Sequence, residues 1–341
     1  MTEFFDPTDR IVTVFGGSGF VGRHLVRALA RDGWRIRVAT RRPDLAYNLQ
    51  PLGRVGQIHA VQANVRYPES LALALRGAEA VVNLVGILAP WGKQTFDSVQ
   101  AEGAAAVAKA AQAAGIGNVL HVSAIGADAD SASGYARSKA AGEAAVLAAL
   151  PSAKILRPSV VFGPEDQFFN RFAAMAQKMP VLPLIGGGQT LLQPVYVGDV
   201  AEAGSRLLRG AGAEGAVYEL GGPAVKTLRE IFEFVLATIH RERILAPLPF
   251  GIAGTIGGIS ETLNKLLLGL IPAEFTVTRD QVELLRHDNI VSEQAIAEGR
   301  TLAGLGLTPE SVEAIVPTYL YRYRKSGQFA DERETEFAQK L

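Results

Sequence analysis

The chain has 341 residues, 48% of them hydrophobic, enough for a substantial core and about two structural units. Lys plus Arg and Asp plus Glu number 34 each, so overall charge offers no attraction to nucleic acid or anionic lipid, and any charge effect is local. With no cysteine, disulfides, thiolate metal sites and cysteine nucleophiles are excluded; the five histidines show no ligand-like spacing, and no metal is expected.

Residues 1–9, MTEFFDPTD, are too few and too acidic for a presequence. No run of about 18 uncharged apolar residues occurs, so a protein working where it is made, without a membrane-spanning helix, is expected. The segment 11–22, IVTVFGGSGFVG, organises the rest of the chain. A β-branched run ends at Gly16, and after a glycine turn Phe20, Val21, Leu25, Val26 and Leu29 carry a helical period. Gly16, Gly17, Gly19 and Gly22 let the backbone bend sharply and approach a pyrophosphate, with the N–H groups of Ser18, Gly19, Phe20 and Val21 at the positive end of the helix. Sterics alone also favour glycine at strand–helix junctions. The spacing Gly16-x-x-Gly19-x-x-Gly22 resembles that of the short-chain dehydrogenase/reductase superfamily, in its extended and atypical branches.

A second strand is expected at Arg35–Thr40, followed by Arg41 and Arg42. An acid at this position would bind the ribose 2′-hydroxyl of NAD, whereas arginine suits the 2′-phosphate of NADP. The pair therefore favours NADPH over NAD, although a solvated basic turn has the same composition. The next strand, 57–63, leads to Asn64 and Val65, where Asn64 offers a carbonyl oxygen to the adenine amine. A fourth strand, 80–85, runs through Leu84 and Val85 into Gly86, which resembles the segment behind the cofactor ribose. An alanine-rich crossover helix is expected over 95–114, then a strand over 119–123 ending in Ser123.

Tyr135 and Lys139 come next, four residues apart on one helix face, where an ammonium favours the phenolate. Such a tyrosine exchanges a proton with a carbonyl or alcohol while hydride moves to or from nicotinamide, and Ser123 would hold the substrate oxygen. Tyr-x-x-x-Lys alone is common. Here it stands twelve residues after a strand-terminal serine and behind a dinucleotide turn, in the superfamily's order. The segment 155–163, ILRPSVVFG, continues the likeness, and the resemblance puts Pro158 and Val161 beside nicotinamide. Asp199 in 193–200 reads as a helix N-cap, and Val217–Leu220 with the helix from Thr227 reads as a smaller lobe over the substrate.

Residues 244–272 are strongly apolar, yet Glu261, Asn264, Lys265, several glycines and Pro247, Pro249 and Pro272 argue against a spanning helix. Either a core helix of the small lobe or an amphipathic segment on a partner or membrane surface fits them. The blocks 278–285 (TRDQVELL), 288–292 (DNIVS) and 317–327 (PTYLYRYRKSG) resemble one family within the superfamily: the NAD(P)H-binding accessory subunit of respiratory complex I, in its bacterial form. The likeness runs from Arg10 to about residue 329.

That resemblance implies a doubly wound Rossmann domain over 1–160, to which later strands and helices contribute, and a smaller α/β lobe with extension over 161–341. It implies tightly held NADPH and complex I subunits as partners, near the junction of peripheral and membrane arms on the cytoplasmic side of a bacterial inner membrane. It also implies a role in assembly or stability, not electron transfer, with Ser123, Tyr135 and Lys139 at superfamily catalytic positions. A free-standing NADP-dependent reductase or epimerase using those three residues is the alternative. A redox-sensing regulator is a third reading, for which no separate partner-binding module is visible. The basic, aromatic segment 319–325 suits either a partner contact or a solvated end.

Overall fold

The computed structural model describes residues 10–266, 278–325 and 327. Its first half alternates strand and helix: β1 (Ile11–Phe15), α1 (Phe20–Arg31), β2 (Arg35–Thr40), β3 (Ile58–Gln62), α2 (Pro68–Leu75), β4 (Ala80–Asn83), α3 (Glu102–Ala113), β5 (Asn118–Val122), α4 (Gly134–Ala149) and β6 (Lys154–Pro158). Short apolar runs such as Val12 to Phe15 and Ala80 to Val82 are buried on both faces, as parallel strands covered by helices must be. After β6 come β7 (Val161–Phe162), α5 (Phe169–Lys178), β8 (Val181–Ile185), β9 (Leu191–Leu192) and β10 (Val195–Tyr196). The chain continues with α6 (Val197–Leu208), β11 (Val217–Leu220), β12 (Lys226–Thr227), α7 (Leu228–Thr238), β13 (Ile244–Leu248) and α8 (Phe250–Leu266). Four short helices close the described chain: α9 (Arg279–Leu284), α10 (Glu293–Ala297), α11 (Val312–Ile315) and α12 (Pro317–Leu320).

These elements form two units. The first comprises residues 1–158, 197–220 and 291–308, the second 159–196, 221–290 and 309–341, so the chain changes unit five times. In the first unit a parallel sheet runs in the order β11-β6-β5-β4-β1-β2-β3, the doubly wound Rossmann arrangement. Its strand order reverses between β1 and β4, and ligands of such sheets bind in the crevice at the carboxyl ends of those two strands. One face carries α2, α3 and α4 over a cluster containing Phe15, Leu71, Val81, Val107 and Val146. On the other, Gly204 of α6 lies against Leu25 of α1 and Leu120 of β5.

β11 departs from the expectation drawn from sequence. Val217–Leu220 is not part of the small lobe but the edge strand of the main sheet, in register with Ile155 to Pro158. Its alternation is that of any half-covered strand, and the partner that decides its place is remote in sequence. Asp199 is likewise not an N-cap: α6 begins at Val197, and Asp199 sits in the first turn, where a carboxylate complements the helix dipole. The helix expected over 95–114 is preceded by a π-helical turn, Asp97–Ala101, before α3 begins at Glu102.

In the second unit a core of Phe162, Phe169, Leu182, Ile231, Phe232 and Val235 also takes in Tyr319 and Leu320. A capping box between Thr227 and Glu230 starts α7, worth about 1 kcal/mol. Segment 319–325 is neither a partner arm nor a free end through its first half. Tyr319 is buried and donates to Asp166 Oδ2 at 2.6 Å, an acceptor that a buried phenol needs. Asp166 also accepts from the backbone N–H of Gly163, Phe168 and Asn170, and burial raises its carboxyl above the usual range.

Candidate dinucleotide site

The glycine turn comes directly after β1. Gly16 has φ +80, a left-handed conformation, and lies so close to β4's extension that a Cβ there would sit 3.1 Å from the Leu84 carbonyl carbon. Gly19 N–H donates to Gly16 O at 3.0 Å and Arg23 N–H to Gly19 O at 3.0 Å, which closes the turn onto α1. Gly19 is the N-cap and no side chain caps the helix. The first-turn N–H groups, on Phe20, Val21 and Gly22, therefore point out of the positive end of α1, suited to an anion. Gly22 packs on the turn itself, where a Cβ would lie 2.6 Å from Gly17 Cα.

Leu84 N–H donates to Phe15 O, and Gly86 lies beside Lys139 Nζ and Gln100 Nε2. The loop after β4 thus meets α4 at the switch point. Lys139 Nζ donates to Val122 O at 3.2 Å and lies 5.8 Å from the centre of the Tyr135 ring. Phe96 packs edge-on against the same ring at 5.8 Å. Ser123, 3% exposed, has an Oγ with no hydrogen-bond partner, a cost that a bound polar group would remove. Ile125 N–H donates to Pro158 O, which holds Pro158 next to the strand end that carries Ser123. These residues fit a dinucleotide: an uncapped helix end for phosphate, a glycine cradle, and an orphaned hydroxyl on the residue that follows the Lys139-bound Val122 carbonyl.

The remaining expected residues have other surroundings of their own. Val161 belongs to the second unit, paired with Val195. Val65 is buried in the core beside Gly103, and Asn64 Oδ1 accepts from Arg66 N–H at 3.1 Å, so one lone pair of that oxygen already serves the loop. Arg41 and Arg42 are exposed at the end of β2.

Burial lowers the Lys139 ammonium to about 8, and the charge of Glu143, one turn on, opposes that shift. Glu143 is turned to other work: Arg157 of β6 binds it in two-pronged fashion at 2.6 and 2.9 Å and reaches Glu219 of β11 at 3.8 Å. Because the folded pKa of Lys139 lies below its unfolded 10.5, the unfolded chain holds more protons between them, and stability rises with pH from about 8 to 10.5. Lys139→Met is expected to abolish that rise, up to about 3 kcal/mol, in denaturant titrations across the window.

Three further contributors are polar side chains that the sequence motifs do not single out. Gln100, in the π-helical turn, accepts from Ser138 Oγ at 2.7 Å and donates to Ile87 O at 2.7 Å, tying α4 to the loop after β4. Asn83 accepts from Val85 N–H at 3.1 Å, so its amide nitrogen faces His121 Nδ1 at 3.2 Å. His121 then carries its proton on Nε2, buried and without a partner. A polar residue inside an otherwise apolar strand or helix is the only signal for them. Among the described residues, no group of three or more His, Cys, Asp or Glu is arranged to hold a metal, and no helix is long and apolar enough to cross a membrane.

Residues 12–221 match the NAD dependent epimerase/dehydratase family. Over 322 residues the chain is 35% identical to NADH dehydrogenase (ubiquinone) 1 alpha subcomplex subunit 9, mitochondrial, of Arabidopsis thaliana, covering 93% of this chain and 79% of that one. The chain belongs to this subunit 9 family, a branch of the epimerase/dehydratase family. With 93% of the chain covered, the subunit 9 likeness extends well past residue 221. A ceramide reductase of Caulobacter vibrioides is 41% identical over 175 residues, 51% of this chain and 54% of that one. Among solved structures, an NADPH-dependent quinone oxidoreductase of Escherichia coli, complexed with NADPH, superposes with a TM-score of 0.69 over 91% of this chain and 99% of that one; at 19% identity it shows the shared fold.

Proposed function

We propose that this protein is an accessory subunit of respiratory complex I that holds NADPH as a structural ligand and supports assembly or stability of the complex. The observation that carries this reading is the subunit 9 likeness over 93% of the chain, joined to a first unit that retains the whole dinucleotide turn. NADPH is preferred to NAD because two arginines, and no directly adjoining acid, follow β2. A ligand bound only by the folded state stabilises it by about 4 kcal/mol at a thousandfold excess over Kd. Partners are complex I subunits near the junction of its arms, with the chain peripheral on the cytoplasmic side of a bacterial inner membrane. Exposed Ile244, Ile252 and Ile256 support a surface contact by segment 244–272, of which 267–272 lies outside the described residues. Gentle isolation from membranes followed by denaturation is expected to release near-stoichiometric NADPH alongside complex I subunits. An empty protein free of those partners would overturn this reading.

The Ser123, Tyr135 and Lys139 arrangement supports a second reading as a reductase, and the partial likeness to a ceramide reductase favours a carbonyl of lipid type. Bound NADPH would supply the hydride. Ser123 Oγ would hold the carbonyl oxygen, Tyr135 would donate its phenolic proton to that oxygen, and the Lys139 ammonium would stabilise the resulting phenolate until solvent returns the proton. On this reading Tyr135→Phe lowers kcat by a factor on the order of a hundred or more while NADPH binding persists. No turnover by the native protein across a panel of carbonyl substrates would remove the second reading.

A further inference from the structure

Two arginines follow β2, and the fold treats them unequally. Arg42 is engaged by Asp44 in two-pronged fashion, Nε to Oδ1 at 3.0 Å and Nη2 to Oδ2 at 2.7 Å. The guanidinium holds the Asp44 carboxyl below the usual range, so the pair stays ionised at neutral pH and presents an approaching anion with a carboxylate as well as a cation. Arg41 instead donates from Nη1 to Gln94 Oε1 at 2.5 Å, a neutral partner.

Gln94 is presented by a small hairpin. Trp91 and Gln94 exchange N–H···O bonds of 2.9 and 3.0 Å around Gly92 at φ +57. Arg66 Nη1 and Ser98 Oγ both donate to Lys93 O at 3.2 Å, which pins the hairpin to the loop after β3 and to the turn before α3. Ala39 is in register with Phe15, so Arg41 stands just past the carboxyl edge of the sheet, beside the glycine turn.

We propose that the site for a phosphate monoester on the adenosine ribose is a one-arginine site, in which Gln94 positions Arg41 and Asp44 withholds Arg42. This deepens the nucleotide-binding reading above and rests on it. Gln94 is a positioning residue: it fixes a long, otherwise mobile side chain before the ligand arrives, which lowers the ordering cost of binding. Asp44 sets specificity by restraint, since its removal would add a second cation to the same anion.

The test uses the full chain stripped of nucleotide and titrated calorimetrically with NADPH and with NADH, with Trp91 emission on the hairpin as a second readout. Arg41→Ala is expected to weaken NADPH at least about tenfold and leave NADH within about twofold. Gln94→Ala shows the same NADPH-only pattern at about threefold, with an unchanged thermal midpoint, which separates positioning from a general structural loss. Asp44→Ala tightens NADPH several-fold without affecting NADH, and adding Arg42→Ala to it cancels the gain. A selective loss in Arg42→Ala with Arg41→Ala silent, or an Asp44→Ala protein unchanged toward NADPH, would overturn the assignment alone. A native protein that binds neither nucleotide would overturn the reading beneath it as well.

Discussion

Gly22→Ala is expected to remove nucleotide binding and to cost about 2 kcal/mol or more of stability. The added methyl would lie 2.6 Å from both Gly17 Cα and Gly17 C, and closer still to Gly16 O. All three are backbone atoms of the turn, so no side chain can swing aside. Relief requires α1 to move away from β1, and that movement carries off the first-turn N–H groups that would face a pyrophosphate. Loss of two charge-assisted hydrogen bonds corresponds to a fall in affinity on the order of a hundredfold or more. Calorimetric titration with NADPH and denaturant unfolding of the same protein measure both effects. A variant that unfolds like the parent and still binds would show that the turn tolerates displacement and that the phosphate is held elsewhere.

Acid sensitivity of the first unit is expected to centre on His121, which is 2% exposed on β5. Burial, and next the positive charge of Lys139, push the imidazole down to about 3 from 6.5. Between those values the unfolded chain takes up a proton that the folded chain refuses, so stability falls as pH drops through that window, by up to about 5 kcal/mol in total. His121→Gln keeps a donor and an acceptor near Asn83 but cannot titrate. Compared with the parent in urea, the variant should lack the added slope between about pH 6 and 5, before most carboxylates contribute. Parallel pH profiles would mean that His121 reaches solvent on protonation and that its unpaired Nε2 costs nothing in acid.

Local pattern makes much of the first unit readable. β1 and β2 stand where a short β-branched run between turn residues puts them, and α1 begins at Phe20 because glycines precede a helical period. Lys139 reaches both the Val122 carbonyl, one residue before Ser123, and Gly86 because the order of strands in a doubly wound sheet brings successive carboxyl ends to one edge. What local pattern does not encode is partnership between distant segments. Val217–Leu220 joins the main sheet through Ile155 to Pro158, and Tyr319 finds Asp166 across more than a hundred residues; neither pairing leaves a mark in its own neighbourhood. Arg42 and Asp44 are two residues apart, yet only the backbone turn between them decides that they meet. His121 is hidden for a different reason, since an imidazole and an isosteric apolar side chain occupy a strand pattern alike until the surrounding dielectric is known.

The repeated change of unit along the chain has a consequence for biosynthesis. Everything in the glycine turn, the Tyr–Lys pair and the Gln94 hairpin is translated before residue 140, but the far edge of the sheet is not finished by then. Glu219 N–H donates to Arg300 O, its carboxylate accepts from Ser292 N–H at 2.8 Å, and Arg206 Nη1 donates to Leu305 O at 2.8 Å. These bonds wait for the whole stretch between Leu220 and Val291 to emerge, and closing so long a loop delays the last step of folding. A nascent chain therefore carries the glycine turn and the Tyr–Lys pair before the bonds that lock the sheet's far edge can form. A premature stop anywhere in the second unit's middle segment would leave the first unit open at that edge, with the Glu219 carboxylate deprived of the Ser292 N–H and the Glu219 N–H deprived of the Arg300 carbonyl.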